Sequence, residues 1–130
     1  MLMLAALIEQ GKLIMNEMDV PAPSFGHVLI KVRYAGVNRA DLFQVEGKYP
    51  LPEETQMIPG MEVMGEVVAL GEGVTGVKMG EKVAALMTGG GYAEYAVAYA
   101  SHLMAIPDAM SFEEAACVCE SYITAFLNVF

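Results

Sequence analysis

A chain of 130 residues with 55% apolar side chains is the size of one domain and has ample material for a packed core, which excludes a disordered chain. Sixteen acidic against seven basic residues give a formal charge of −9, which argues against a nucleic-acid-binding or anionic-membrane surface. Residues 1–8 lack the basic flank of a signal peptide, no stretch approaches the roughly 20 apolar residues of a membrane span, and Cys117 and Cys119 form no disulfide framework, so a cytoplasmic, reducing setting is expected.

Taken in order, residues 2–9 and 13–19 are short apolar runs joined at Gly11-Lys12, a hairpin signal. Pro21 and Pro23 force an extended connector. Residues 27–34 alternate as a strand does, with Val28, Ile30 and Val32 on one side and Lys31 and Arg33 on the other. Residues 38–45 read as one or two helical turns, capped by Asn38 and closed by Gly47. A proline-containing loop follows over 49–59, then a strand over 61–70 in which Gly65 marks a bulge or a close backbone approach. Two more strands are expected at 83–87 and 92–98, around Gly89-Gly90-Gly91. Ser111 and Glu114 form a capping box that opens a helix running to Phe130. That helix ends on an apolar run without a capping glycine, so the chain is expected to stop inside a helix that continues into further structure.

Gly60-Met61-Glu62-Val63-Met64-Gly65, followed by Gly71 and Val74, resembles the medium-chain dehydrogenase/reductase superfamily. Its zinc enzymes carry His where this chain has Met61, and a Cys ligand near Asn38. Both are absent, as is the four-cysteine lobe. The stretches Ala35-Gly36-Val37-Asn38-Arg39-Ala40-Asp41, Gly47-Lys48-Tyr49-Pro50, Gly80-Glu81-Lys82-Val83 and Gly89-Gly90-Gly91-Tyr92-Ala93-Glu94-Tyr95, with the helix around Glu114 to Phe126, are similar to the zinc-free quinone oxidoreductases of the zeta-crystallin type. The resemblance implies a mostly β, partly open barrel like the co-chaperonin GroES, with short helices. Residues 1–110 would be the substrate-side domain and 111–130 the start of a helix leading to a nucleotide-binding domain. Gly71-x-Gly73-x-x-Gly76 spells a dinucleotide fingerprint but opens no predicted helix, and reads as turn glycines. One departure is Cys119, where the family has proline.

By this resemblance the complete protein is an NADPH-dependent reductase of quinones or related conjugated carbonyls, without zinc, working as a homodimer or homotetramer. Reducing a quinone yields an aromatic hydroquinone anion, so a few hydrogen-bond donors can take the developing charge where an alcohol needs a Lewis acid. The resemblance makes Tyr49 the donor to the substrate oxygen, Asn38 a residue of both the substrate and nicotinamide sides, and Thr124 a nicotinamide contact. Read alone, Tyr49 is a loop aromatic packed by Pro50 and Pro52, Asn38 a helix cap and Thr124 an ordinary helical residue. Glu62 is expected to be a structural hydrogen-bonding group. Cys117 and Cys119 are read as packing residues, and His27 and His102 have no third metal ligand in sequence reach. Two rival functions stay open: a stand-alone GroES-like binding or co-chaperone module, and an enoyl-thioester reductase of the same superfamily.

Overall fold

In the computed structural model, which describes residues 1–130, the chain opens with a hairpin. Strand β1 (Leu2–Glu9) pairs antiparallel with β2 (Lys12–Asp19). The turn is Gln10-Gly11, at φ 49° and 71°. Two left-handed residues in succession twist the backbone as the flanking strands twist. The turn therefore lies one residue earlier than the sequence reading put it.

A second, five-stranded antiparallel sheet runs β6-β3-β4-β5-β7. Its strands are β3 (His27–Ala35), β4 (Glu62–Leu70), β5 (Lys82–Leu86), β6 (Tyr95–Tyr99) and β7 (Leu103–Ala105). The hairpin is hooked to this sheet along the outer edge of β1. Ala6 N–H donates to the Tyr92 carbonyl (2.8 Å), Glu94 N–H to the Leu4 carbonyl (3.0 Å) and Ile8 N–H to the Met57 carbonyl (2.9 Å). Met57 presents its carbonyl to β1 from φ 63°, next to Gln56 at 53°. The outer edge of β2 has no such neighbour, and nearly all of its side chains are exposed. Neither sheet closes on itself, so the architecture is the mostly β, partly open barrel that was expected.

The alternation read in β3 fills the core. Val28 and Ile30 pack with Val63 and Val67 of β4, Val83 and Ala85 of β5, and Ala96 and Ala98 of β6. Val32 packs at the edge of this cluster. Gly65 is the close approach foreseen: a β-carbon there would run into the Lys31 carbonyl and Ile30. Register shifts flank this point, between Leu29 and Ile30 and between Val32 and Tyr34. Residues 92–94, read as the start of a strand, turn aside to seal β1, and β6 begins only at Tyr95. Strand β7 was not foreseen; three residues are too few to display a period.

Helix α1 (Arg39–Val45) starts at Asn38. It closes as the glycine signal indicates, with Gly47 at φ 72°, Gly47 N–H on the Gln44 carbonyl (3.1 Å) and Lys48 N–H on the Phe43 carbonyl (2.7 Å). The C-terminal helix is two helices, α2 (Phe112–Ala116) and α3 (Val118–Val129), separated at Cys117 (φ −105°, ψ 4°). The Ser111–Glu114 capping box is present, and Ala115 and Ala116 pack on Met64 of β4. Tyr122, Phe126, Leu127, Val129 and Phe130 of the last helix and its end are exposed. No helix is long and apolar enough to cross a membrane.

Candidate functional site

Asn38 and Glu62 meet where α1 starts beside the head of β4. The Asn38 side-chain amide donates to Glu62 Oε1 at 2.8 Å. Glu62 is only 1% exposed, and its second oxygen accepts the Glu120 N–H at 2.9 Å. Glu120 lies in the first turn of α3, whose unpaired N–H groups and dipole favour an anion. The ion pairs of the chain, Arg33–Glu66 and Lys48–Glu46, leave Glu62 without a cation. Its carboxylate is met by N–H donors alone, which is how a buried charge is kept without a counter-ion. Gly36 makes room for this arrangement, because a β-carbon there would enter the Glu62 carboxylate.

Asn38 is held at a second point. Its backbone N–H donates to Asp41 Oδ2 (2.9 Å), and the Tyr92 hydroxyl donates to the same oxygen (2.6 Å). Asp41 is fully buried. Burial raises the Tyr92 hydroxyl well above the ordinary tyrosine range, with the Asp41 hydrogen bond and charge adding to it. Because the Asn38 amide nitrogen faces an acceptor-only carboxylate, its carbonyl oxygen is turned away from Glu62.

Thr124 joins from the far side. Its hydroxyl donates to Glu120 Oε1 at 3.3 Å, one turn earlier on α3. Asn38 and Thr124 are thus ends of one chain of contacts running through Glu62 and Glu120. Tyr49 stands outside that chain: it is 42% exposed, on the loop after α1, and its hydroxyl has no partner within the protein. The sequence reading missed the Glu62–Glu120 contact, whose partners are 58 positions apart, and the Asp41–Tyr92 bond, whose partners are 51 apart. The pairing of Asn38 with Asp41 three residues on was the one local signal available.

The residues that the resemblance aligns with zinc ligands differ from them in donor chemistry. No group of three or more His, Cys, Asp or Glu side chains comes together anywhere in the chain. Met61 offers a thioether, the Asn38 nitrogen is spent on Glu62, and the buried Cys119 thiol is pushed up to about 12 by burial and then by the Glu62 charge, which keeps it protonated. Of the two cysteines read as packing residues only Cys119 packs; Cys117 is exposed, because it stands at the break between α2 and α3 rather than on a helix face. His27 and His102 flank the Tyr99 ring, at centroid distances of 4.0 and 5.2 Å. They line a separate cavity of about 570 Å³ with Met3, Thr88 and Tyr95, to which Asn38, Glu62, Tyr49 and Thr124 do not contribute. The Gly71–Gly76 stretch is turn and bend, with Gly73 and Gly76 both at φ 79°, and opens no helix.

The family description that matches residues 24–108 is the alcohol dehydrogenase GroES-like domain. The zebrafish (Danio rerio) synaptic vesicle membrane protein VAT-1 homolog is 40% identical over 110 residues, covering 85% of this chain and 23% of that protein. The pig (Sus scrofa) quinone oxidoreductase is 35% identical over 113 residues, covering 86% of this chain and 34% of that one. Among solved structures, human synaptic vesicle membrane protein VAT-1 homolog-like protein superposes with a TM-score of 0.92 at 33% identity, over 100% of this chain and 43% of the other. A mycobacterial protein complexed with NADPH gives 0.87 at 31% identity, over 98% and 40%. The chain thus spans about a quarter to a third of the length of these two curated relatives.

Proposed function

Because the chain belongs to the alcohol dehydrogenase GroES-like domain family of the medium-chain dehydrogenases/reductases, we propose that it forms the substrate-side wall of a zinc-independent, NADPH-dependent reductase of quinones or related conjugated carbonyls. The observation that carries this reading is the Asn38–Glu62–Glu120–Thr124 chain of contacts. By the sequence resemblance Met61, Asn38 and Glu62 stand where zinc enzymes carry ligands and a neighbouring carboxylate, and here the Asn38 donor is used on Glu62, which favours a reaction that needs no Lewis acid.

Bound NADPH supplies a hydride to the acceptor carbon. In this reading the Asn38 carbonyl oxygen and the Thr124 hydroxyl bind the carboxamide edge of the nicotinamide, and Glu62 keeps the Asn38 amide from rotating. The Tyr49 hydroxyl, free of internal partners, hydrogen-bonds the substrate oxygen as that oxygen gains charge. The pyrophosphate has no glycine-rich turn opening a helix in these 130 residues, so its anchoring falls to a dinucleotide-binding domain outside them. We place residues 1–110 as the substrate-side domain, 111–130 as the helix entering the second domain, and the complete enzyme as a cytoplasmic homodimer or homotetramer.

The test is NADPH oxidation by the complete protein against a panel of quinones, enones, enoyl thioesters and simple aldehydes. Turnover of quinones without added metal supports the reading. Preference for enoyl thioesters would move the assignment to that reductase class. Absence of turnover with every acceptor would favour a binding module.

A further inference from the structure

Gln44 lies on the buried side of α1 and is 3% exposed. Both N–H groups of its amide are used: they donate to the carbonyl of Pro50 at 3.0 Å and to the carbonyl of Thr88 at 2.9 Å. Its own oxygen is buried with no partner. A side chain kept only to fill space would be apolar here, since an unpartnered buried acceptor costs stability. What an apolar residue cannot do is hold two carbonyls at once.

One of those carbonyls follows Tyr49 directly. Lys48 N–H bonds back to Phe43, and Thr55 N–H bonds to Pro52, but between these points the backbone of 49–51 makes no bond to other backbone. Gln44 is its one hydrogen-bonded tether. The tether acts on a stiff lever, because proline fixes its own φ and restricts the residue before it to extended conformations. Fixing the Pro50 carbonyl therefore fixes the backbone of Tyr49. The other anchor, Thr88, is adjacent to Met87, whose N–H bonds the Met61 carbonyl at 2.8 Å beside Glu62. One amide thus ties the Tyr49 loop to the strand ends that carry the Asn38–Glu62 contact.

We propose that Gln44 is the positioning residue for Tyr49, setting where its hydroxyl stands relative to Asn38; this rests on the reading of Tyr49 as the donor to the substrate oxygen. Gln44→Met keeps length and helix preference and removes both donors. In the isotope-labelled 130-residue chain, the backbone order parameters of Tyr49 and Leu51 are expected to fall from the rigid range near about 0.85 to below about 0.6, with Leu29 and Val63 unchanged. In the complete reductase, kcat is expected to fall about tenfold with KM changed less than about twofold, and Gln44→Met on top of Tyr49→Phe to add nothing. Unchanged order parameters at Tyr49 and Leu51 would overturn the positioning role. Full turnover by Tyr49→Phe with a loosened loop in Gln44→Met would instead sink the role given to Tyr49 and leave the tether standing. Should Gln44→Met fail to fold, Gln44→Asn keeps the amide but is too short to reach both carbonyls, and the same readouts apply.

Discussion

Glu62 accepts one hydrogen bond from the Asn38 side chain and one from the Glu120 backbone, 2.8 and 2.9 Å away, and so fastens the start of α1 to the start of α3. Both of its oxygens must be acceptors. Glu62→Gln presents an N–H to one of those donors, and is expected to cost about 1–3 kcal/mol through the unpaired groups it leaves. Urea unfolding of the 130-residue chain measures this. Stability unchanged from the parent would show that the buried carboxylate is not needed as a double acceptor.

Gly36→Ala attacks the same contact from the other side. The new methyl enters the space of the Glu62 carboxylate, and overpacking of this kind costs about 1–3 kcal/mol. Gly47→Ala serves as the control, because nothing lies within 4 Å of its β-carbon position and only its φ of 72° opposes substitution. That backbone penalty alone is about 1–2 kcal/mol. The two variants are told apart by the Asn38 side-chain amide resonances, which should move in Gly36→Ala and stay in Gly47→Ala.

Tyr49→Phe separates chemistry from folding. The hydroxyl has no partner inside the protein, so the thermal midpoint is expected to stay within a few degrees. In the complete enzyme, quinone turnover should drop by about tenfold or more, through loss of the donor to the developing oxyanion. Full turnover with several quinones would remove Tyr49 from the chemistry.

Alkaline pH should weaken the fold. Burial pushes the Cys119 thiol up to about 12, above the roughly 8.5 of an unfolded chain. The folded protein therefore keeps a proton that the unfolded chain releases. This contribution is whole below about pH 8.5 and is lost as pH rises toward about 12. Tyr92, raised by burial and by Asp41, adds a second loss above about pH 10, where a free tyrosine ionises. Urea midpoints should hold from about pH 7 to about 8.5 and fall from there to about 10.5, and Cys119→Ala should flatten the part between about pH 8.5 and 10. A thiol reagent at pH 8 should label exposed Cys117 and spare Cys119 until the chain unfolds.

Protein prepared without chelator should carry far less than one zinc per chain by elemental analysis. A thioether at Met61 and an amide at Asn38 replace the imidazole and thiolate that a zinc site requires. Stoichiometric zinc would refute the donor assignment at this site.

The pattern of strands was legible because it is local. Val28, Ile30 and Val32 alternate within β3, and Gly65 announces its crowded position by being the one bare residue in β4. Capping was legible for the same reason at Asn38, Gly47 and Ser111. The break at Cys117 was not, since a short helix followed at once by another carries the same composition as one helix. Nor were the contacts that build the site. Glu62–Glu120 and Asp41–Tyr92 bring together residues whose spacing has no period, so only the folded sheet places them. Gln44 looked like any polar helical residue, because nothing in the sequence says that its side is the buried one.

The two edges of β1 also differ in when they can form. Its ladder with β2 closes over residues neighbouring in the chain, and a hairpin of this kind forms in about 1–10 μs. The seam on its other edge must wait for Met57, Tyr92 and Glu94, the last of them 90 positions from its partner Leu4. Closing so long a loop carries an entropic cost that the hairpin never meets, and an isolated two-stranded hairpin is only marginally stable in water. The hairpin is therefore made early, flickers while it is alone, and becomes permanent when the far half of the chain arrives. Adjacent amides of a single strand keep different time: Ala5, which faces β2, is sheltered with the hairpin, and Ala6, which faces Tyr92, only with the finished domain.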